Sequence, residues 1–115
     1  MEPKKFKLAA NEILQLAPKR GSCIANDRIT VHGEQVGYMY PCRPDKAIGS
    51  GWNFLSGTES QAYLNDSRNL AIYEVNTIAN YDPDIIPLLD APVGSAFARD
   101  AGSGKFVPEE APPED

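Results

Sequence analysis

Residue types capable of chemistry are few in this 115-residue chain, and they are scattered. The single histidine, His32, would need a nucleophile within hydrogen-bond reach and an orienting group behind it to act as a general base. Ser22 and Cys23 could stand near it in space, but no nucleophile motif surrounds them. Beside Gly33, His32 reads as an exposed turn residue. Cys23 and Cys42 are too few for a disulfide framework and too far apart for a metal knuckle. Together with His32 they fall short of a zinc ligand set. Both read as ordinary, mostly buried thiols that stay reduced in a cytosolic protein, with a bridge or a reactive thiol as the alternative. Gly49-Ser50-Gly51 precedes a strand rather than a helix, so it lacks the geometry of a phosphate loop. Ser103 between Gly102 and Gly104 is a flexible turn without the fuller nucleophile-elbow pattern. Asn80-Tyr81-Asp82-Pro83-Asp84 lacks the further oxygen ligands of a calcium loop and reads as a helix cap with exposed acids. Glu59 with Asp82 or Asp84 could do acid–base work, but nothing in one sequence brings them together. The expectation is a non-enzymatic domain with no catalytic residues, no cofactor and no metal.

The elements that would position these residues follow from periodicity. Phe6, Ala9, Ala10, Ile13, Leu16 and Ala17 recur at helical spacing, which predicts an amphipathic helix over 4–17, stopped by Pro18. From Gly21 the pattern is that of strands. Cys23-Ile24-Ala25 and Ile29-Thr30-Val31 flank a polar turn at Asn26-Asp27-Arg28. His32–Gln35 then leads as a hairpin connection into Val36–Tyr40, where Val36 can pair with Val31 and Val36, Tyr38 and Tyr40 share a face. After a loop over Arg43–Gly49 comes Gly51–Leu55, with Trp52 and Phe54 on one side sealing the core. A short helix starts at Thr58 and ends near Asn65-Asp66, with Glu59 in its first turn. Leu70–Val75 is the candidate central strand, and Asn76 caps a short turn behind it. Asp82-Pro83 opens a brief helix. Ser95–Arg99 and Lys105–Val107 make two edge strands around Asp100–Gly104. The expected fold class is α+β, a single small domain with a mostly antiparallel sheet of about five to seven short strands and two or three short helices. Residues 1–20 form its N-terminal helix, 21–107 the domain, and 108–115 an acidic, proline-rich tail without order.

Composition excludes several partners. Net charge is −5, and residues 59–90 hold Glu59, Asp66, Glu74, Asp82, Asp84 and Asp90 against Arg68 alone. That balance argues against broad contact with nucleic acid, which needs clustered Lys and Arg. It suits either a basic protein partner or a solvated acidic surface. No run approaches the roughly 18 to 20 apolar residues of a membrane span. The apolar stretch of a signal peptide does not follow the basic N-terminus, so a cytoplasmic location is expected.

Ser50-Gly51-Trp52-Asn53-Phe54-Leu55-Ser56-Gly57-Thr58-Glu59-Ser60, followed by Tyr63-Leu64, resembles the hallmark segment of a bacterial family. That family is immunity protein family 33 of polymorphic toxin systems, formerly domain of unknown function 2185. The similarity extends over about residues 21–99, through Cys23–Ala25, Val36–Tyr40, Ile72–Asn80, Asp82–Asp90 and Pro92–Phe97. Family members commonly carry an acidic residue before Ser-Gly-Trp and a basic one after the tryptophan; here Gly49 and Asn53 stand there. The resemblance implies a protein that binds and blocks a cognate toxin, and it supplies no catalytic residues. Candidate contacts for that partner are Glu59, Tyr63, Tyr73, Tyr81, Asp82, Asp84 and Asp90. Ser50, Gly51, Trp52, Phe54, Gly57 and Glu59 are the motif residues expected to act through the fold. A small-molecule or peptide-binding regulatory domain, with Trp52 and Tyr38 lining a pocket, is the alternative.

Overall fold

The computed structural model describes residues 6–17, 19–41 and 51–110. Six strands form one mixed sheet: β1 (Ser22–Asn26), β2 (Tyr38–Pro41), β3 (Trp52–Leu55), β4 (Leu70–Glu74), β5 (Phe97–Arg99) and β6 (Phe106–Pro108). Their order is β4-β1-β3-β2-β5-β6. Three short α-helices accompany them, α1 (Asp27–Thr30), α2 (Gln61–Asn65) and α3 (Val75–Tyr81), with 3₁₀ segments at Ala10–Glu12, Ser67–Asn69 and Pro83–Leu88. The fold is α+β, as its strand and helix patterns imply. Every neighbouring pair is antiparallel except β1 with β3, which run parallel with Ile24 opposite Asn53. The chain leaves β1 through α1 to reach β2, and β3 then inserts between the two.

One sheet face carries Cys23, Ala25, Met39, Trp52 and Phe54, all buried, and α1, α3 and the 3₁₀ segment at Pro83–Leu88 bring Ile29, Val75, Ile78, Ala79 and Ile85 against it. The Trp52 and Phe54 rings stack at 5.9 Å, and the indole N–H donates to the Leu89 carbonyl at 3.3 Å. Two close approaches fix the connections. A Cβ on Gly37 would lie 2.0 Å from the Ser56 carbonyl oxygen, so only glycine lets β2 and the turn after β3 meet. Asp82 is buried; its carboxylate accepts from the Asp84 and Val36 amides at 3.1 and 2.9 Å and pairs with the Arg99 guanidinium.

Four expectations are corrected. Residues 6–17 are no helix: apart from one 3₁₀ turn they form an irregular strap whose Phe6, Leu14 and Leu16 are 48%, 62% and 40% exposed. The reason is that α3 side chains bind the strap's backbone. Ile29-Thr30-Val31 is no strand, and its predicted pairing with Val36 is absent. Asn26 accepts from the Arg28 amide and caps α1, which buries Ile29 and Thr30 by helical rather than alternating geometry. Asn76 does not cap a turn after β4; it lies inside α3, whose N-cap is Glu74. Finally, β4 is an edge strand of the described sheet and β5 an inner one, the reverse of their predicted places. The predicted turn at Asp100–Gly104 does join β5 to β6. The predicted tail is docked at its start, where the Glu109 amide donates to the Ala96 carbonyl at 2.9 Å. Its residues 111–115 lie outside the described residues, as do Pro18, Cys42, the Arg43–Gly49 loop and Ser50.

Truncating Asp82 to alanine takes the buried carboxylate from a guanidinium that is 11% exposed, leaving it only the exposed Asp84 as a counter-charge, and removes a helix cap. Asp82→Ala is expected to cost about 3–5 kcal/mol in urea unfolding. Trp52→Ala is expected to cost about 3–5 kcal/mol in the same measurement, because the stacked ring is core.

Candidate partner interface

Strand alternation sends a second set of side chains to the face away from the core. Register places Ile72, Ile24, Asn53 and Tyr40 in one row across β4, β1, β3 and β2. Leu55, Tyr38, Ala98 and Val107 form another across β3, β2, β5 and β6. These residues are half-buried or exposed, with Ile72 at 59% and Val107 at 42%. Leu64 of α2 sits over part of this outer face, around a small cavity of about 190 Å³ with Ile24, Tyr40, Leu55 and Leu70. The Tyr38 and Tyr40 rings lie 5.6 Å apart.

Beside the tyrosines opens a groove of about 1020 Å³, in which Tyr38, Leu55, Leu64 and Ala98 meet four carboxylates, Glu34, Glu59, Asp100 and Glu109. Arg99 also lines it, but that cation is already held by Asp82 and Asp84. The Tyr38 hydroxyl donates to the Glu110 carbonyl at 2.9 Å. Burial pushes its pKa up, and the nearby Glu109 and Glu110 charges push the same way. Asp100 is held below the ordinary carboxylate range by the Ser103 amide and hydroxyl.

Glu59 precedes α2 rather than lying in its first turn, because Ser60 is the cap. Its Oε2 accepts from the Ser56 amide at 2.7 Å and the Asn26 amide group at 2.6 Å, while Oε1 accepts from the Gly57 amide at 2.9 Å. This carboxylate therefore ties the Ser56-Gly57 turn, where Gly57 has φ +91°, to the end of β1. Partial burial raises its pKa, but the hydrogen bonds from Ser56 and Asn26 outweigh that and leave it below the usual value.

The other sequence-predicted contact residues are not brought together. Tyr63 packs its ring beneath the Arg28 guanidinium at 4.9 Å. The Tyr81 hydroxyl donates to the Thr30 carbonyl and accepts from the Leu8 amide, and Tyr73 meets the Thr30 hydroxyl and the Phe6 ring. Asp82 is inside the protein. Asp84 is exposed but bound to Arg99, and Asp90 is exposed but bound to Arg20, which holds its pKa down. Asp66 pairs with Arg68, which brings its pKa down to about 2. Much of the 59–90 acidity is thus answered by cations, most of them from outside that stretch. Sequence reasoning missed the outer rows of the sheet, although the shared face of Tyr38 and Tyr40 was a signal for them.

Among the described residues no nucleophile emerges. Cys23 is fully buried and its thiol is pushed up to about 12 by burial, whereas His32 is exposed. Among the described residues, no group of three or more His, Cys, Asp or Glu is placed to hold a metal ion.

The family model described as the Immunity protein Imm33 domain matches residues 23–110. The chain belongs to the Imm33 family. No curated protein and no solved structure matches it. The Imm33 match takes in five strands whole and β1 from Cys23 onward, reaches past the expected limit at residue 99 to include β6, and leaves the strap outside. Of the hallmark residues, Trp52 and Phe54 serve the core, while Gly51 (φ +86°), Gly57 and Glu59 serve turns. Asn53 lies on the outer face and donates to the Gly51 carbonyl at 3.1 Å.

A carboxylate with a depressed folded-state pKa contributes stability that is present above its unfolded pKa and lost as pH falls through the folded one. Glu59→Gln should therefore destabilise the protein at neutral pH. Its gap from wild type should close as pH drops below the Glu59 folded value, in thermal melts taken from pH 7 down to pH 2.

Proposed function

We propose that this Imm33 protein binds and neutralises a cognate bacterial toxin without catalysing a reaction, and that the outer sheet face and its acidic groove form the contact surface. The observation that carries this is the Imm33 match over nearly the whole sheet. Members of an immunity family act by binding a toxin, which calls for a rigid surface rather than a reactive centre. The outer face offers the required mixture: half-buried tyrosines and aliphatics flanked by Asp100, Glu109 and Glu110. Aromatic anchors within a polar rim are the usual source of interface energy. The groove's charge fits a basic segment of the toxin, since opposite fields speed encounter. A stable complex would bury roughly 1,200–2,000 Å² in all. The acids at 82, 84 and 90 support this role less well, being committed to arginines of the same chain. A pocket lined by Trp52 and Tyr38 has no place in this fold, because Trp52 pairs with Pro41 and Tyr38 with Leu55, on opposite faces.

Co-expression with a toxin encoded beside this gene should restore growth and yield a complex that survives size exclusion. Equal killing with and without the protein would end the immunity proposal. Ile72→Glu should weaken neutralisation while leaving the melting temperature near that of wild type. Glu109→Lys with Glu110→Lys should slow association at low salt. Full protection by the first variant would remove the outer face from the contact, and an unchanged on-rate for the second would remove the groove.

A further inference from the structure

The two ends of the described sheet are finished differently. At β6 the Asp100 amide donates to the Lys105 carbonyl and the Glu109 amide to the Ala96 carbonyl, so ladder alternation turns the backbone groups of Phe106 and Pro108 outward. Pro108 has no N–H to offer, which blunts that edge. The β4 edge, Leu70-Ala71-Ile72-Tyr73-Glu74, carries neither proline nor lysine. The Val75 amide donates to the Gly21 carbonyl at 2.9 Å, which makes Cys23–Tyr73 and Ala25–Ala71 the hydrogen-bonded pairs of β1 with β4. The N–H and C=O groups of Leu70, Ile72 and Glu74 therefore point away from the sheet. Some of these are used within the chain: the Leu70 amide donates to the Ser67 carbonyl, and the Glu74 carbonyl receives the first turn of α3. Among the described residues, the Ile72 and Glu74 amides and the Leu70 and Ile72 carbonyls meet no hydrogen-bond partner.

We infer that β4 is an interface with a second copy of this chain, whose own β4 lies antiparallel to it across a two-fold axis at Ile72. The free groups dictate both the occupant and the register. With Ile72 opposite its counterpart and Leu70 opposite the second copy's Glu74, each Ile72 amide donates to the other Ile72 carbonyl. Each Glu74 amide then donates to the opposite Leu70 carbonyl. Every free donor meets a free acceptor, while the groups already used, the Leu70 amide and the Glu74 carbonyl, face each other. Moving the axis to Ala71 strands the Glu74 amide and the Ile72 carbonyl; moving it to Tyr73 strands the Ile72 amide and the Leu70 carbonyl. Arg68, whose side chain is 77% exposed, stands two residues before Leu70 and so beside the second copy's Glu74, where opposite charges attract. The Ile72 side chains, 59% exposed in one chain, meet on the outer face. A ladder of five residues falls short of a standard interface, so the association is weak and depends on concentration. It needs no toxin and does not rest on the immunity proposal.

Sedimentation velocity of the intact chain, taken from about 5 to about 500 μM, should show a shift from one to two chain masses of 12.5 kDa each. A single species of one chain mass throughout would overturn the interface. Ile72→Pro deletes an outward amide at an edge position that tolerates proline, and should weaken self-association about tenfold or more. If that variant loses its circular dichroism signature, Ile72→Cys decides. Opposed Cα atoms of a hydrogen-bonded pair stand about 5.5 Å apart, within the span of a disulfide. Oxidised glutathione should therefore link two Ile72→Cys chains beyond any wild-type background, and should not link two Val107→Cys chains, which carry the thiol on β6. A dimer that a folded Ile72→Pro chain leaves intact, or linkage through Val107→Cys as ready as through Ile72→Cys, would place the contact elsewhere and overturn the inference. An Ile72 amide protected from hydrogen exchange only once a toxin is added would assign the edge to the toxin, with the same result.

Discussion

The buried carboxylate of Asp82 joins parts of the chain that lie far apart in sequence. It caps the 3₁₀ segment that follows α3, accepts the Val36 amide from the connection leading into β2, and pairs with Arg99 at the end of β5. Arg99 returns the contact by donating through Nε to the Val36 carbonyl at 3.0 Å and reaches on to Asp84 and the Gly104 carbonyl. A charge taken from water at this depth is tolerable only when its lone pairs are filled, and here a guanidinium and two amides fill them. The register of β2 with β5, and with it the Tyr38–Ala98 row of the outer face, rests on this junction.

The same junction explains why the acid-rich stretch is a poor guide to the surface. Counted along the sequence, residues 59–90 are strongly negative. Folded, Asp82 and Asp84 share Arg99, Asp90 takes Arg20, Asp66 takes Arg68, and Glu59 is absorbed by amide donors. Pairing with cations distant in sequence is invisible to a local count. Glu34, also in the groove, lies 3.6 Å from Arg28, so the negative charge left facing it comes from the β5–β6 hairpin and the residue after it, Asp100 and Glu109.

Parts of the fold set by local chemistry were legible. The Trp52/Phe54 alternation, the Asp82-Pro83 cap and the Asp100–Gly104 turn each follow from residues within a few positions of one another. Elements decided by distant partners were not. The strap has the apolar spacing of a helix, but a marginal isolated helix yields to two asparagine side chains that satisfy its peptide groups better. Ile29-Thr30 has strand-like composition, yet the Asn26 cap and the need to cross from β1 toward β2 make it helical. Leu70–Glu74 looks central because it is apolar, while Ile72 spends that apolarity on the outer face at an edge. The candidate surface was half legible: Tyr38 and Tyr40 were seen to share a side, but only the burial of Met39 and Phe54 on the opposite side shows that it faces away from the core.

Two surfaces of different character result, one apolar and one polar. On the outer face, side chains carry the information, since rows of tyrosine, isoleucine and leucine are fixed by sheet register and can select a partner by shape and charge. On α3, the Asn76 and Asn80 side chains bind backbone, the peptide groups of Leu14, Leu16 and Ala17. The second kind lets a segment outside the Imm33 match complete the buried polar groups of the domain without being tuned to it. Asn76 illustrates the constraint: buried within the family domain, its amide is satisfied by the backbone of Leu14, Leu16 and Ala17, and of those three only Ala17 joins the core with its side chain.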